Sequence, residues 1–343
     1  MKNMLRAGRS LGIFVLLALF SFAAEIALQP SAAAERLKVA HSALNLLTAP
    51  LWVAKEKGFF LRHGLDVETV YIPSGTLGIQ ALLSGDIQVA LADGSSAINA
   101  RLRGAPVLMI LGAVNFYPNA LFATQAIDDP RNLRGKKIAV TRVGSSSYAA
   151  TVMALKKIGL EEGKDYTILQ LGSTQNRLAA LTQGAIQGTT LSAPESIMAK
   201  NAGMKVLISA ADMKRLGVTI QHQAVDITEK VLHESRPLIK AFLMGYLEGV
   251  REVYRSKEET MKALSKYTRI TDPQVLSASY DESYEAIDKE GSIAEGGIKV
   301  ILNELGKKDP RALKATPGQF FDASLIQELS RDGFIKALWA ESK

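Results

Sequence analysis

Short apolar runs recur along the chain, each followed by a polar turn and then by a segment whose apolar residues return at helical spacing. Leu37–Ala40 reads as a first strand, His41–Asn45 as a loop, and Pro50–Phe60 as a helix with Leu51, Ala54 and Phe59 on one side. Pro50 suits a first helical turn, where its missing N–H leaves no bond unmade. Leu65–Ile72 reads as a second strand, Pro73-Ser74-Gly75 as a turn, and Thr76–Ser84 as a helix stopped by Gly85. Ile87–Leu91 follows as a third strand. Asp93-Gly94-Ser95-Ser96 then caps a helix reaching Arg103, and Val107–Val114 is a fourth strand.

The same grammar returns further along. Lys137–Thr141 reads as a strand, Gly144-Ser145-Ser146-Ser147 as a loop, and Tyr148–Ile158 as a helix. A strand at Tyr166–Leu171, the turn Ser173-Thr174, a helix ending at Gly184 and a strand at Ile186–Leu191 complete the unit, and Ser192–Glu195 opens a helix ending near Gly203. The two units match at a constant offset of 99 residues: Ser74 with Ser173, Leu82 with Leu181, Gly85 with Gly184, Ile87 with Ile186, and Val39-Ala40 with Ile138-Ala139. Repeated strand–loop–helix units predict an α/β fold of two similar lobes, each with a mainly parallel sheet and right-handed crossovers. A cleft between similar lobes is a place to bind something small. The chain is expected to cross between lobes near 119–124 and near 218–225. Beyond that the pattern is mostly helical, and Pro237–Tyr254, Lys257–Tyr267 and Phe320–Trp339 are expected to pack on the first lobe. The expected division is therefore 35–119 with 222–343 as lobe one and 120–221 as lobe two.

Composition narrows the class. The chain has 343 residues, 47% hydrophobic and 22% charged, which is ordinary for a globular protein of two domains. Its formal charge of +7 is spread along the chain with no dense basic cluster, so nucleic-acid binding is not indicated. Lys2, Arg6 and Arg9 precede an uncharged apolar run, Leu11 to Phe22, and Ala32-Ala33-Ala34 offers a small-residue cleavage site. That run is shorter than the roughly 20 residues a membrane span needs. Residues 1–34 are expected to be a cleaved signal peptide. The absence of cysteine excludes disulfides, thiolate metal sites and cysteine nucleophiles. It also argues against a lipid anchor, and the periplasm is the expected compartment.

In parallel sheets, ligands lie outside the carboxyl ends of the strands. The loops expected there carry Ser42 and Asn45, Ser74, Gly75 and Thr76, Asp93, Gly94, Ser95 and Ser96, Gly144, Ser145, Ser146 and Ser147, Ser173, and Ser192. Most precede a helix, whose free N–H groups and partial positive charge suit an anionic or polar solute. The same residues also suit plain helix caps, worth about 1 kcal/mol each. His41, His63, His222 and His233 lack metal-ligand spacing, and neither a metal nor another cofactor is expected. His41, His222, Arg142 and Tyr117 are open between ligand contact and a structural or surface role, whereas Trp52 and Phe59 read as core.

The run Ala49-Pro50-Leu51-Trp52-Val53-Ala54-Lys55-Glu56-Lys57-Gly58-Phe59-Phe60, then His63-Gly64-Leu65-Asp66-Val67-Glu68, resembles the opening of bacterial periplasmic substrate-binding proteins of the NMT1/THI5-like, SsuA/TauA type. Ser74-Gly75-Thr76, Gly85-Asp86-Ile87-Gln88, Leu133–Val140 and Phe334-Ile335 extend the resemblance over about residues 37–340. It implies a type II periplasmic-binding fold: two lobes, two crossovers and closure by hinge bending. It also implies a solute bound by Ser42 and Asn45, Ser74–Thr76, Asp93–Ser96 and Ser145–Ser147. The family serves ABC importers of nitrate, sulfonates, taurine and related solutes. The thiamine-pyrimidine branch carries a cysteine-rich motif that this chain lacks.

The leading expectation is a monomeric solute receptor without catalysis, delivering a small organic solute to a membrane permease and its ATPase. It touches the membrane only through that permease. Two alternatives stand beside it: an enzyme on the same fold, a lyase or a THI5-type pyrimidine-forming enzyme, and a sensor or scaffold without transport. Few charges lie in the candidate loops, which favours a neutral or singly charged solute.

Overall fold

The computed structural model describes residues 34–340; the expected signal peptide, residues 1–34, lies outside them except for its last residue. The described strands are β1 (Glu35–His41), β2 (Leu65–Tyr71), β3 (Val89–Asp93), β4 (Val107–Val114), β5 (Ala120–Ala123), β6 (Lys136–Val140), β7 (Tyr166–Gln170), β8 (Gly188–Leu191), β9 (Lys205–Ile208) and β10 (Gln223–Thr228). They form two five-stranded sheets, ordered β2-β1-β3-β10-β4 and β7-β6-β8-β5-β9. The two orders are equivalent position by position, as the repeat predicts.

β1 pairs in parallel with β3, and β6 in parallel with both β7 and β8. The expected parallel pattern breaks at one strand in each sheet. β10 runs antiparallel to β3 and β4, and β5 antiparallel to β8 and β9. Each is the strand on which the chain enters from the other half, so it arrives from the opposite end. The crossing segments themselves lie just before these strands.

The repeated residues recur because they perform the same local tasks. Ser74 and Ser173 each cap the following helix, accepting from Leu77 N and Asn176 N. Gly85 and Gly184 follow those helices with φ of +84° and +71°, the left-handed turn that favours glycine. Gln88 and Gln187 fasten the next strands: their side-chain oxygens accept from Lys38 N (3.0 Å) and Lys137 N (3.2 Å), residues that are themselves 99 apart.

Two elements differ from the sequence pattern. The helix expected over Pro50–Phe60 is two, Ala49–Glu56 and Phe59–Arg62, because Gly58 turns the backbone left-handed at φ +69°. The stretch 204–217 holds β9 and a helix at Ala210–Arg215. β9 is a short edge strand in which Ile208 is buried and Leu207 half-buried, so its apolar run Val206–Ile208 is too brief to mark it.

Trp52 and Phe60 are buried in the first-lobe core with Leu37, Val39, Val225, Phe242 and Tyr246. The C-terminal helix Arg236–Arg255 lies against Ala49–Glu56, as expected of the helices that pack on this lobe. A Cβ on Gly249 would lie 2.2 Å from the Pro50 carbonyl oxygen, so glycine there lets the two helices touch.

Candidate functional site

A cavity of about 70 Å³ lies between the two sheets. It is several times the space one water needs. Equivalent positions of the repeat meet on it: Ser42 and Thr141 after the first strand of each unit, Gly75 and Thr174 at the following helix, Asp93 and Ser192 at the end of the third strand. The crossing segments complete the lining with Tyr117, Asn119, His222 and Gln223.

Asp93 closes the third strand instead of lying in a loop, and it caps the helix Gly94–Leu102. Its carboxylate accepts from Ser96 N (3.0 Å) and Ser96 Oγ (2.9 Å). It also reaches across the cleft to the start of the helix Ser146–Lys157, accepting from Ser146 N (2.8 Å) and Ser146 Oγ (3.1 Å). One carboxylate thus serves two helix N-termini, one from each lobe. Burial pushes its pKa up, against the pull of these four bonds. Gly75 makes room for it: a Cβ there would lie 2.0 Å from Asp93 Oδ2.

The hydroxyls of the serine loop are similarly engaged. Ser145 Oγ donates to the Arg142 carbonyl (2.7 Å) and caps its helix, and Ser147 Oγ accepts from Thr141 N (2.9 Å). Ser145, Ser146 and Ser147 still line the cavity, with Ser42, Asn45, Gly75, Asp93 and Ser192. The other serine, threonine and glycine positions of the candidate loops, Ser74, Thr76, Gly94, Ser95, Ser96, Gly144 and Ser173, lie outside the lining. Ser74 and Ser173 are helix caps. Thr76 Oγ1 meets Ser96 Oγ at 3.0 Å, and Ser95 Oγ meets Ser146 Oγ at 3.2 Å. Gly94 N donates to the His222 carbonyl, and the Gly144 carbonyl accepts from Asn99 Nδ2.

Arg177 is a charged lining residue that the sequence reading does not single out. It sits on the helix Thr174–Thr182 and is buried. Nη1 donates to the Thr190 carbonyl (2.6 Å) and to Thr189 Oγ1 (3.0 Å), while Nη2 reaches Thr174 Oγ1 at 3.5 Å. Nε has no partner among the described residues. One signal was present: Arg177 shares a helix face with Leu181, four residues on, which is fully buried. Burial pushes the neighbouring Glu195 carboxyl up to about 7, although Arg177 pulls it down.

Burial disfavours the charged form of two imidazoles, His41 and His222. Burial lowers His222 to about 4, and its ring stands edge-on to Tyr117 with centroids 5.1 Å apart. His41 is lowered to about 4 by burial, stacks on Tyr71 and lies outside the lining, as does Arg142. Tyr117 Oη donates to Thr190 Oγ1 at 2.8 Å. Asn45 Oδ1, Asn119 Oδ1, Arg177 Nε, His222 Nδ1 and Gln223 Oε1 are all buried without a hydrogen-bond partner among the described residues. Each belongs to a residue that lines the cavity. An unpartnered buried polar atom costs about 1–3 kcal/mol, so such a cluster marks a place where a further partner is gained.

The model of the family described as NMT1/THI5 like matches residues 45–260. A riboflavin-binding protein, RibY, of Chloroflexus aurantiacus is 24% identical over 222 residues, which is 63% of this chain and 61% of that one. The taurine-binding periplasmic protein of Escherichia coli is 26% identical over 65% of this chain and 69% of its own length. This chain thus spans about three fifths of the riboflavin-binding relative. The alkanesulfonate-binding protein SsuA of Xanthomonas axonopodis pv. citri, solved with MOPS, superposes with a TM-score of 0.68 at 17% identity, covering 86% of this chain and 99% of that one.

Proposed function

The chain belongs to the NMT1/THI5-like family, and on that premise we propose that it is a solute receptor which captures a small molecule between its two lobes. The observation that carries this reading is the cavity between the sheets, whose lining residues hold five buried polar atoms without a partner among the described residues. A solute that satisfied them would favour the closed arrangement, because only contacts made in that arrangement shift the equilibrium toward it. Contacts across the cleft already hold the lobes together: Asp93 with Ser146, Asn45 Nδ2 with Ser192 Oγ at 3.2 Å, and Glu282 with Ser196 and Lys200 at 2.8 Å each.

The receptor works in the periplasm as a monomer and passes its solute to an ABC permease and its ATPase. Lobe one is 35–119 with 222–343, and lobe two is 120–221. No described helix is long and apolar enough to cross a membrane. Support for a receptor over an enzyme comes from the relatives, which are named as binding proteins. Calorimetry of the purified protein with a panel of small acids, amides and amines tests the reading. Saturable 1:1 binding with no chemical change in the recovered solute is the expected result. Turnover of a bound compound, seen by mass spectrometry, would replace it with the enzyme reading.

A further inference from the structure

A second cavity, of about 180 Å³, is built on the same two helices whose first turns meet at Asp93 and Ser146. One wall carries Asn99, on the helix Gly94–Leu102, and Arg103, which caps that helix at its end. The facing wall carries Tyr148 and Val152, on the helix Ser146–Lys157. Ile301 and Leu305, on the C-terminal helix Glu295–Leu305, form the third side. Asn99 Nδ2 donates to the Gly144 carbonyl at 3.2 Å, so a hydrogen bond between the lobes is part of the lining. The chemistry differs from that of the first cavity. Val143 is a large apolar side chain left 52% exposed, and it belongs to this lining with Ala149, Val152, Ile301 and Leu305. The polar groups around it have partners. Tyr148 Oη donates to Glu162 at 2.7 Å, Lys308 lies 3.5 Å from the same carboxylate, and Glu304 pairs with Lys307. Arg103 is the exception. It is exposed, and Asp309, whose carboxyl feels its charge, is already bonded to Arg311.

We propose that this second cavity is a regulatory ligand site, separate from the solute cavity, and that it takes an amphipathic acid with an apolar tail. The tail lies along Val152, Ile301 and Leu305, where it leaves water, and the acid group meets the Arg103 guanidinium. Such an occupant is held at the site and is not the transported solute. Its effect follows from the origin of the walls. They come from both lobes, so the cavity has this shape only while the lobes face each other as they do here. An occupant therefore favours that arrangement, and the arrangement favours the occupant. The element that both cavities share is the helix pair: its first turns join through Asp93 and Ser146, and its later turns carry the second lining. The site stands independently of the receptor reading above, whereas its coupling to solute capture rests on that reading.

Octanoate, kept below its micellar range, is the probe, titrated into the unaltered protein by calorimetry beside butanoate, octanamide and octylammonium. Octanoate should bind 1:1. Butanoate should be at least about tenfold weaker, because four buried methylenes are lost. Octanamide should be about threefold to fivefold weaker, as expected for an exposed charge pair, and octylammonium weaker still. Arg103→Ala should weaken octanoate by about the same factor as the amide, and Val143→Asp by more, since it sets a like charge beside the acid. Both positions are exposed and lie outside the solute cavity, so the variants keep the fold and the first site. No octanoate binding, tighter binding of octylammonium, or unchanged octanoate binding in both variants overturns the second site and leaves the receptor reading in place. The coupling has its own readout. Asp93→Ala removes the cross-cleft bonds without touching the second lining, and it should weaken octanoate about twofold or more. Ser96→Ala, which keeps those bonds, should not. Equal octanoate affinity in Asp93→Ala and the unaltered protein overturns the coupling.

Discussion

Replacing Asp93 by alanine tests whether one buried carboxylate couples the two lobes. The side chain has two duties that separate in space. Its bonds to Ser96 N and Oγ stay within the first lobe and cap a helix, a contribution of about 1 kcal/mol. Its bonds to Ser146 N and Oγ cross the cleft, and hydrogen bonds to a charged acceptor are worth about 1.5–3 kcal/mol each. Against them stands the desolvation that pushes the carboxyl pKa up. The net effect of the crossing bonds on closure should be about 1–3 kcal/mol, a shift of roughly 5- to 150-fold in the open–closed equilibrium. Ser96→Ala is the control, because it removes a bond at 2.9 Å that stays inside the first lobe. Small-angle scattering of the solute-free protein should show a larger radius of gyration for Asp93→Ala than for Ser96→Ala. Thermal melting should show a loss for both. Equal radii for the two variants, with equal melting losses, would mean that Asp93 is only a helix cap.

Glu195→Gln should raise the melting temperature at pH 8 and leave it nearly unchanged at pH 4. The folded protein holds this acid protonated up to about 7, so wild-type stability falls as pH rises from the ordinary carboxylate range through 7. His41 and His222 act in the opposite direction: each is buried neutral, so stability is lost as pH falls from about 6.5 toward 4, and His222→Gln should flatten that limb in melting curves. Gly75→Ala should cost about 1–3 kcal/mol by overpacking against the Asp93 carboxylate, measured by chemical denaturation; a neutral result would mean that the carboxylate moves freely. Glu282→Ala removes a half-exposed clasp to Ser196 and Lys200, and it should weaken solute binding less than about fivefold, with a smaller effect at high salt.

The strands, the capping serines and the terminating glycines were readable in sequence because each is decided within a few residues. The 99-residue offset went further, since it matched Ser74 with Ser173 and Gly85 with Gly184 and so marked two equivalent units before any sheet was known. What it could not convey was which hydroxyls were already spoken for. Ser74 and Ser173 look like Ser145 in sequence, yet only Ser145 reaches the cavity. Ser146 has its amide taken by a residue 53 positions earlier. Arg177 was hidden for a related reason: a lone arginine on an amphipathic helix looks solvent-facing until Thr189 and Thr190 of β8 close over it. Asn119, His222 and Gln223 come from the crossings, whose meeting depends on both sheets being formed.

The interleaved strand order has a bearing on how the molecule is made. Every strand of the second sheet lies within residues 120–208, so that sheet can assemble as soon as this stretch has emerged. The first sheet cannot. β10 sits between β3 and β4, and it comes from residues 223–228. Until then two apolar strands present unpaired edges, a template for association with other chains. The N-terminal half, synthesised first, is therefore the last to be finished. It remains vulnerable for as long as the chain between β4 and β10 takes to arrive, and mutations that slow the docking of β10 should show as aggregation during production before they show as lost stability in the finished protein.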